Sequence, residues 1–234
     1  MIMQIEICAS TYRSIDLAAK YKVNRVELCQ NLSCGGLTPS LALVKKALDL
    51  GLKTHVLIRP RAGDFFYSRS ECQQIMDEVN CYKSLGIDGL VVGALTTNRK
   101  LAIPLLKRIR QNTIGLELTF HKAFDDIFNW KDAMDDLVKL KFENILTSGQ
   151  NPNVIEGLEN LKDHFNYANG RIKIMPGGGV TKENIKRILS TLPTDNIHFS
   201  ATKQVEKNNS VFFSSSILDP DTKTLKEMIA LAKG

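Results

Sequence analysis

Short apolar runs alternate with longer segments of helical period along the whole chain. The runs are MQIEIC (3–8), RVEL (25–28), THVLIR (54–59), DGLVVG (88–93), GLELTF (115–120), NILTS (144–148), RIKIM (171–175) and NIHFS (196–200). Most are rich in Ile, Leu and Val and too short for helices, which predicts strands buried on both faces. The segments between them carry helix start and stop signals. Thr38 and Pro39 supply an N-cap and a first helical residue, and Gly51 ends that helix. Ser70 and Gln73 stand at capping-box spacing before a helix closing at Gly86. Asn151–Pro152, Thr181 and Asp219–Pro220 open three more, and shorter helical patterns cover 12–21, 101–111 and 130–140. Eight strand–helix units in 234 residues predict a single (β/α)8 TIM barrel spanning 1–234. A doubly wound open sheet is the alternative, but no Gly-rich turn follows the first strand. The break in regularity is 201–218, a long connection of the kind that helps to cover a site.

Composition narrows this picture. A hydrophobic fraction of 43% with 24% charged residues fits a soluble globular chain. No apolar run approaches the ~20 residues of a membrane span, and MIMQIEICAS lacks the basic and apolar regions of a signal peptide. Five cysteines without a CxxC pair read as reduced thiols, hence a cytoplasmic setting. The net charge of +6 is spread along the chain and reads as lysine-studded outer helices. No nucleic-acid motif accompanies it, so neither nucleic acid nor membrane is expected as a partner.

A barrel places function at the C-terminal ends of its strands. Strand one offers Glu6 and Cys8 there, and strand two Glu27 and Cys29. Strand three runs into IRPRAGDFFYS, with Arg59, Arg61 and Asp64. Strand five leads to His121, Lys122 and Asp125, strand six to Ser148 in TSGQ, and strand seven to Gly177, Gly178 and Gly179 in PGGGV. Strand eight carries His198 and Ser200. Residues two apart share a face, so Glu6 with Cys8, Thr119 with His121, and His198 with Ser200 can point inward together. The opposite strand ends look like ordinary turns.

Arg59 and Arg61 suit a bidentate clamp on an anion, or else pair internally with Glu6, Glu27 or Asp64. Glu27, His121 and Asp125 are acid–base candidates, while Asp125 is equally a turn cap. His121 and His198 fall at strand ends; His55 and His164 do not, and read as structural or surface residues. PGGGV allows close backbone approach to a phosphate or carboxylate, with the following helix adding free N–H groups, or it is simply a tight turn. Neighbouring strands lie ~4.8 Å apart, so Cys8 and Cys29 can reach one soft ion such as Cu(I) or Zn(II), or pack as small hydrophobes.

The ordered motifs EIC (6–8), RVELC (25–29), GGLTPS (35–40), IRPRAGDFFYS (58–68), DGLVVGAL (88–95), TFHKAFD (119–125), LTSGQ (146–150) and PGGGV (176–180) closely resemble the CutC family. The resemblance covers nearly the whole chain. It implies a cytoplasmic TIM barrel, a homo-oligomer (dimer or tetramer), and Cu(I) bound by the thiols of EIC and RVELC, here Cys8 and Cys29. No organic cofactor is implied. Lys122 stands where the family usually has Arg, and 201–218 departs from the family's Arg-containing segment.

Three readings follow. The first is a copper-homeostasis protein binding Cu(I) at Cys8 and Cys29. The second is an isomerase, lyase or hydrolase acting on a small anionic or phosphorylated substrate. There Glu27, Arg59, Arg61, Asp64, His121, Asp125 and His198 do the chemistry, and Glu6, Ser148, Gly177, Gly178, Gly179 and Ser200 line the substrate. The third is a scaffold whose strand-end charges pair with one another and leave no cavity.

Overall fold

The eight apolar runs form the strands of one parallel sheet in the computed structural model, which describes residues 3–207 and 215–234. In chain order they are β1 (Gln4–Ala9), β2 (Arg25–Leu28), β3 (Thr54–Leu57), β4 (Gly89–Val92), β5 (Glu117–Phe120), β6 (Asn144–Thr147), β7 (Lys173–Pro176) and β8 (Asn196–Phe199). They run side by side as β7-β6-β5-β4-β3-β2-β1-β8, every ladder parallel. Among the described residues, eight α-helices cover the outside: α1 (Tyr12–Lys20), α2 (Leu41–Asp49), α3 (Arg69–Lys83), α4 (Ile103–Asn112), α5 (Trp130–Lys139), α6 (Leu158–Ala168), α7 (Ile185–Thr191) and α8 (Thr222–Lys233). This is the TIM barrel. Its two sheet edges meet without a ladder: a methyl on Gly177, just past β7, would lie 3.4 Å from His198 Cβ on β8.

The pleat divides the core in two. Ile5, Ile7, Val26, Leu28, Val56, Leu90, Leu118 and Phe120 join the helices in one outer apolar shell. Inside the barrel, Cys8, Cys29, Leu57 and Val91 form a small separate cluster. Charged groups occupy much of the remaining interior, beside Met175 and Leu146. Arg25 Nε donates to the Glu6 carboxylate beside it, Nη1 reaches Glu117 Oε2 at 3.3 Å, and Nη2 lies 3.4 Å from Met175 Sδ. His55 Nε2 stands 3.5 Å from the same Glu117. The N-terminal end of the barrel is therefore an ionic cluster and not a set of ordinary turns. His55 and His164 are both wholly buried, so neither is a surface residue.

Helix starts shift from their expected places because side chains compete for them. Ser40, not Thr38, caps α2, since the Thr38 hydroxyl accepts from Arg59 N–H (2.9 Å) and donates to Glu78 (2.7 Å). Ser68 and Glu71, not Ser70 and Gln73, form the capping box of α3. Asn153 Oδ1 accepts from the N–H groups of Ile155 and Glu156, a local turn that holds 151–157 out of α6. Asn184 does the same for Thr181, so α7 begins only at Ile185. The connection 201–218 contributes to an antiparallel pair, β9 (Thr202–Lys207) with β10 (Ser215–Pro220), and 208–214 lie outside the described residues. The last helix accordingly starts at Thr222, capped by Asp221.

His164 on α6 packs edge-on against Phe124 (5.5 Å) and Trp130 (4.5 Å), and neither ring nitrogen has a partner among the described residues. Burial pushes its pKa down to about 4, against the weaker pull of Asp125 and Asp163. Because the folded pKa is depressed, the neutral ring's contribution is complete above pH 6.5 and is lost as pH falls towards 4, by up to roughly 3 kcal/mol. His164→Phe is expected to lose less melting temperature over that interval. Parallel Tm–pH curves for variant and wild type would show that other groups set the acid limit.

Candidate functional site

A cavity of about 400 Å³ opens at the C-terminal ends of the strands. Its floor is built by β1, β2 and β8, which are neighbours in the sheet and project Cys8, Glu27 and His198 inward. His198 Nδ1 lies 2.7 Å from Glu6 Oε1, and Nε2 lies 3.5 Å from Glu27 Oε2. Glu6 sits one layer deeper, between His198 and Arg25, and does not line the cavity. Burial works against the Glu6 charge, but Arg25 and His198 outweigh it and hold the carboxyl well below its usual range. Burial likewise opposes a charged His198, yet Glu27 and Glu6 raise its pKa well above 6.5. Glu27 itself is lifted by burial above 4.5. Cys8 Sγ touches Cys29 Sγ at 3.3 Å; that contact and burial keep the Cys8 thiol well above 9.0. Cys29 is fully buried behind Cys8 and does not line the cavity.

The walls carry the cations. Arg59, only 7% exposed, donates to three backbone carbonyls: Cys34 (2.8 Å), Gly36 (3.0 Å) and Gly63 (2.8 Å). Its guanidinium lies under the Phe65 ring at 5.1 Å. Among the described residues no carboxylate pairs with it. His121 Nδ1 accepts from Ala123 N–H (3.1 Å), which leaves the ring proton on Nε2, an atom with no partner among the described residues. Burial, then Arg59, lowers its pKa to about 3, so the ring is neutral. It is held against the end of β4, where a methyl on Gly93 would meet its Cε1 at 2.3 Å. Lys122 Nζ binds Asp125 (2.8 Å) and the Ser148 hydroxyl. It also fills the space beside Gly178, whose φ of +91° sets the turn. Gly179, Ser200 and Thr202 of β9 complete the rim, so the long connection does reach the site.

Other expected site residues lie elsewhere. Arg61 pairs with Asp64 (2.9 Å) and Glu71, organising the loop into α3 away from the cavity. The arginines of IRPRAGDFFYS thus part company. Gly177 packs against Leu146 and His198 instead of admitting a ligand. The helix-end anion site expected after PGGGV is not presented at Thr181, because Asn184 takes that N–H. Asp125 accepts from Lys122, the Thr147 hydroxyl, and the N–H groups of Ser148 (3.1 Å) and Gln150 (2.9 Å). Its lone pairs are spent holding 147–150 in place. Arg25, which begins β2, is the contributor that sequence reasoning missed. The alternation in RVELC contains the signal, because Arg25 shares a face with Glu27 and Cys29.

Asp125→Asn turns an NH2 group towards those donors. It is expected to destabilise the fold by roughly 3 kcal/mol in urea denaturation. A loss under about 1 kcal/mol would show that the loop holds itself.

Comparison with known proteins follows the same motifs. The CutC family model matches residues 3–203. A CutC family protein of Glaesserella parasuis is 37% identical over 203 residues, covering 86% of this chain and 84% of that relative. A solved structure from Streptococcus agalactiae, described as a candidate copper homeostasis protein CutC, superposes with a TM-score of 0.79 at 36% identity. It covers 84% of this chain and 98% of that one. An aldolase matches at 17% identity with a TM-score of 0.64, a likeness of fold alone. Matched by the family model across most of its length, and by relatives well above 30% identity, the chain belongs to the CutC family.

Proposed function

We propose that the cavity is the active site of an enzyme acting on a small anionic substrate, phosphorylated or carboxylated. The observation that supports this best is Arg59: a buried cation on the cavity wall, held by neutral carbonyls and without a carboxylate among the described residues. A buried charge left uncompensated is costly, and an anion in the cavity compensates it. Lys122 adds a second cation on the same wall. Neutral His121 lines the same cavity. The floor, with Glu27 and His198, is where a proton or an electrophile would act on the substrate. Isomerase, lyase and hydrolase chemistry all fit this division of labour.

A panel of inorganic phosphate, sugar phosphates and small carboxylates, read by thermal shift, tests the reading. The substrate class at about a hundred times its Kd is expected to raise Tm by roughly 5–10 °C. Lys122→Met and Arg59→Met should abolish the shift. No stabilising anion in the panel would sink the proposal.

A second reading rests on the 3.3 Å contact between Cys8 Sγ and Cys29 Sγ. Two thiols in contact, with an imidazole nearby, are a donor set suited to Cu(I). In this reading the protein holds the ion for copper homeostasis, as a cytoplasmic homo-oligomer (dimer or tetramer) whose five thiols stay reduced. Titration of reduced protein with Cu(I) against a competing chelator decides it. Cys8→Ser with Cys29→Ser should cost more than the roughly 10–100-fold typical of losing an outer-shell partner. Unchanged affinity removes the reading.

A further inference from the structure

Three side chains on the cavity floor form a group that shares Cys8 with the dithiol. Cys8 on β1, Glu27 on β2 and His198 on β8 each offer one ligand atom, and these atoms lie within 4.8 Å of one another. Cys8 stands directly opposite Glu27 in the ladder, and Glu6 stands opposite His198. Adjacent strands thus fix the spacing, and no loop has to fold around an ion.

We infer that Cys8, Glu27 and His198 form a binding site for a borderline divalent cation of the Zn(II) class, with a fourth position open to the cavity. One sulfur, one nitrogen and one oxygen suit Zn(II) or Co(II), whereas Cu(I) favours sulfur. Bonds of about 2.0–2.2 Å in a tetrahedron place nitrogen and oxygen ligands roughly 3.3–3.6 Å apart. The Nε2–Oε2 separation is 3.5 Å. Three protein ligands with an open position are the pattern of catalytic zinc, while structural sites are closed by four.

The surroundings support the same assignment. His198 Nδ1 faces Glu6 at 2.7 Å, and Arg25 anchors that carboxylate from behind. A carboxylate holding the far nitrogen of a metal-binding histidine orients the ring and frees Nε2 for the ion. The charges also balance, since a thiolate and a carboxylate neutralise a dication. Cys29 lies outside the group, against Leu57, Val91 and the backbone of Gly36. The inference goes beyond the anion-binding reading: an ion here would polarise an oxygen of a substrate that Arg59 holds. Its test is independent of any substrate.

Chelator-stripped, reduced protein is titrated with Co(II) and then with Zn(II). One equivalent of Co(II) is expected to produce a thiolate-to-cobalt charge-transfer band and the intense visible bands of a four-coordinate ion, both bleached by Zn(II). Cys8→Ser should remove the charge-transfer band. Glu27→Gln and His198→Asn should each weaken binding by more than the roughly 10–100-fold expected for the outer-shell change Glu6→Gln. Cys29→Ser should leave the charge-transfer band in place. Absence of the charge-transfer band in the wild-type protein would overturn the proposal, and that measurement needs no variant to fold. So would a band that survives Glu27→Gln and vanishes in Cys29→Ser, which is the outcome required by a Cys8–Cys29 site. Anion stabilisation without cobalt binding would overturn this inference alone, and cobalt binding without anion stabilisation would leave it standing by itself.

Discussion

The ion pair between Arg25 and Glu6 sits inside the barrel, where branched apolar side chains usually fill the layers. Much of the molecule is arranged around it. A buried charge stripped of its partner costs several kcal/mol, so each interior group is placed to answer another. Arg25 answers Glu6 and Glu117, Glu117 answers Lys53 and His55, and Glu6 passes on to His198. Little room remains for apolar filling, which Cys8, Cys29, Leu57, Val91, Leu146 and Met175 supply. Cohesion therefore comes chiefly from the outer shell between strands and helices, while the interior trades apolar packing for electrostatic order.

That order separates the two ends of the cavity. The floor is soft and acidic, with a thiol and a carboxylate beside a charged imidazole. The wall is cationic and rigid, with Arg59 fixed by three carbonyls and His121 clamped against Gly93. A bare cation has no use for such a wall, and a bare anion has no use for such a floor. The two together suit a small molecule with an anionic end and a reacting end. A copper ion at Cys8 and Cys29, as in the second reading, would address only the floor.

The barrel is legible in the sequence because strands buried on both faces are written as unbroken apolar runs, and eight of them recur at nearly even spacing. Helix starts are less legible. Thr38 and Ser40, or Ser68 and Ser70, are chemically equivalent caps until tertiary contacts engage one of each pair. The site shows the same limit. Alternation along a strand tells which face a residue occupies but not how deep it sits. Glu6 therefore reads as a mouth residue and lies below the floor, and Arg25 goes unnoticed at its strand's first position. Past the strands even the face is lost. Arg59 and Arg61 are two residues apart, yet one lines the cavity and the other braces α3, because Asp64 in the loop and Glu71 in the first turn of α3 capture the second.

Trp130 is the only tryptophan in the chain, and its ring meets His164 at 4.5 Å and Tyr167 at 5.4 Å. A protonated imidazole quenches indole emission efficiently, whereas a neutral one does so weakly. The molecule thus carries an optical reporter at one defined seam, the docking of α5 and α6 onto the barrel. Its brightness follows the packing of that seam.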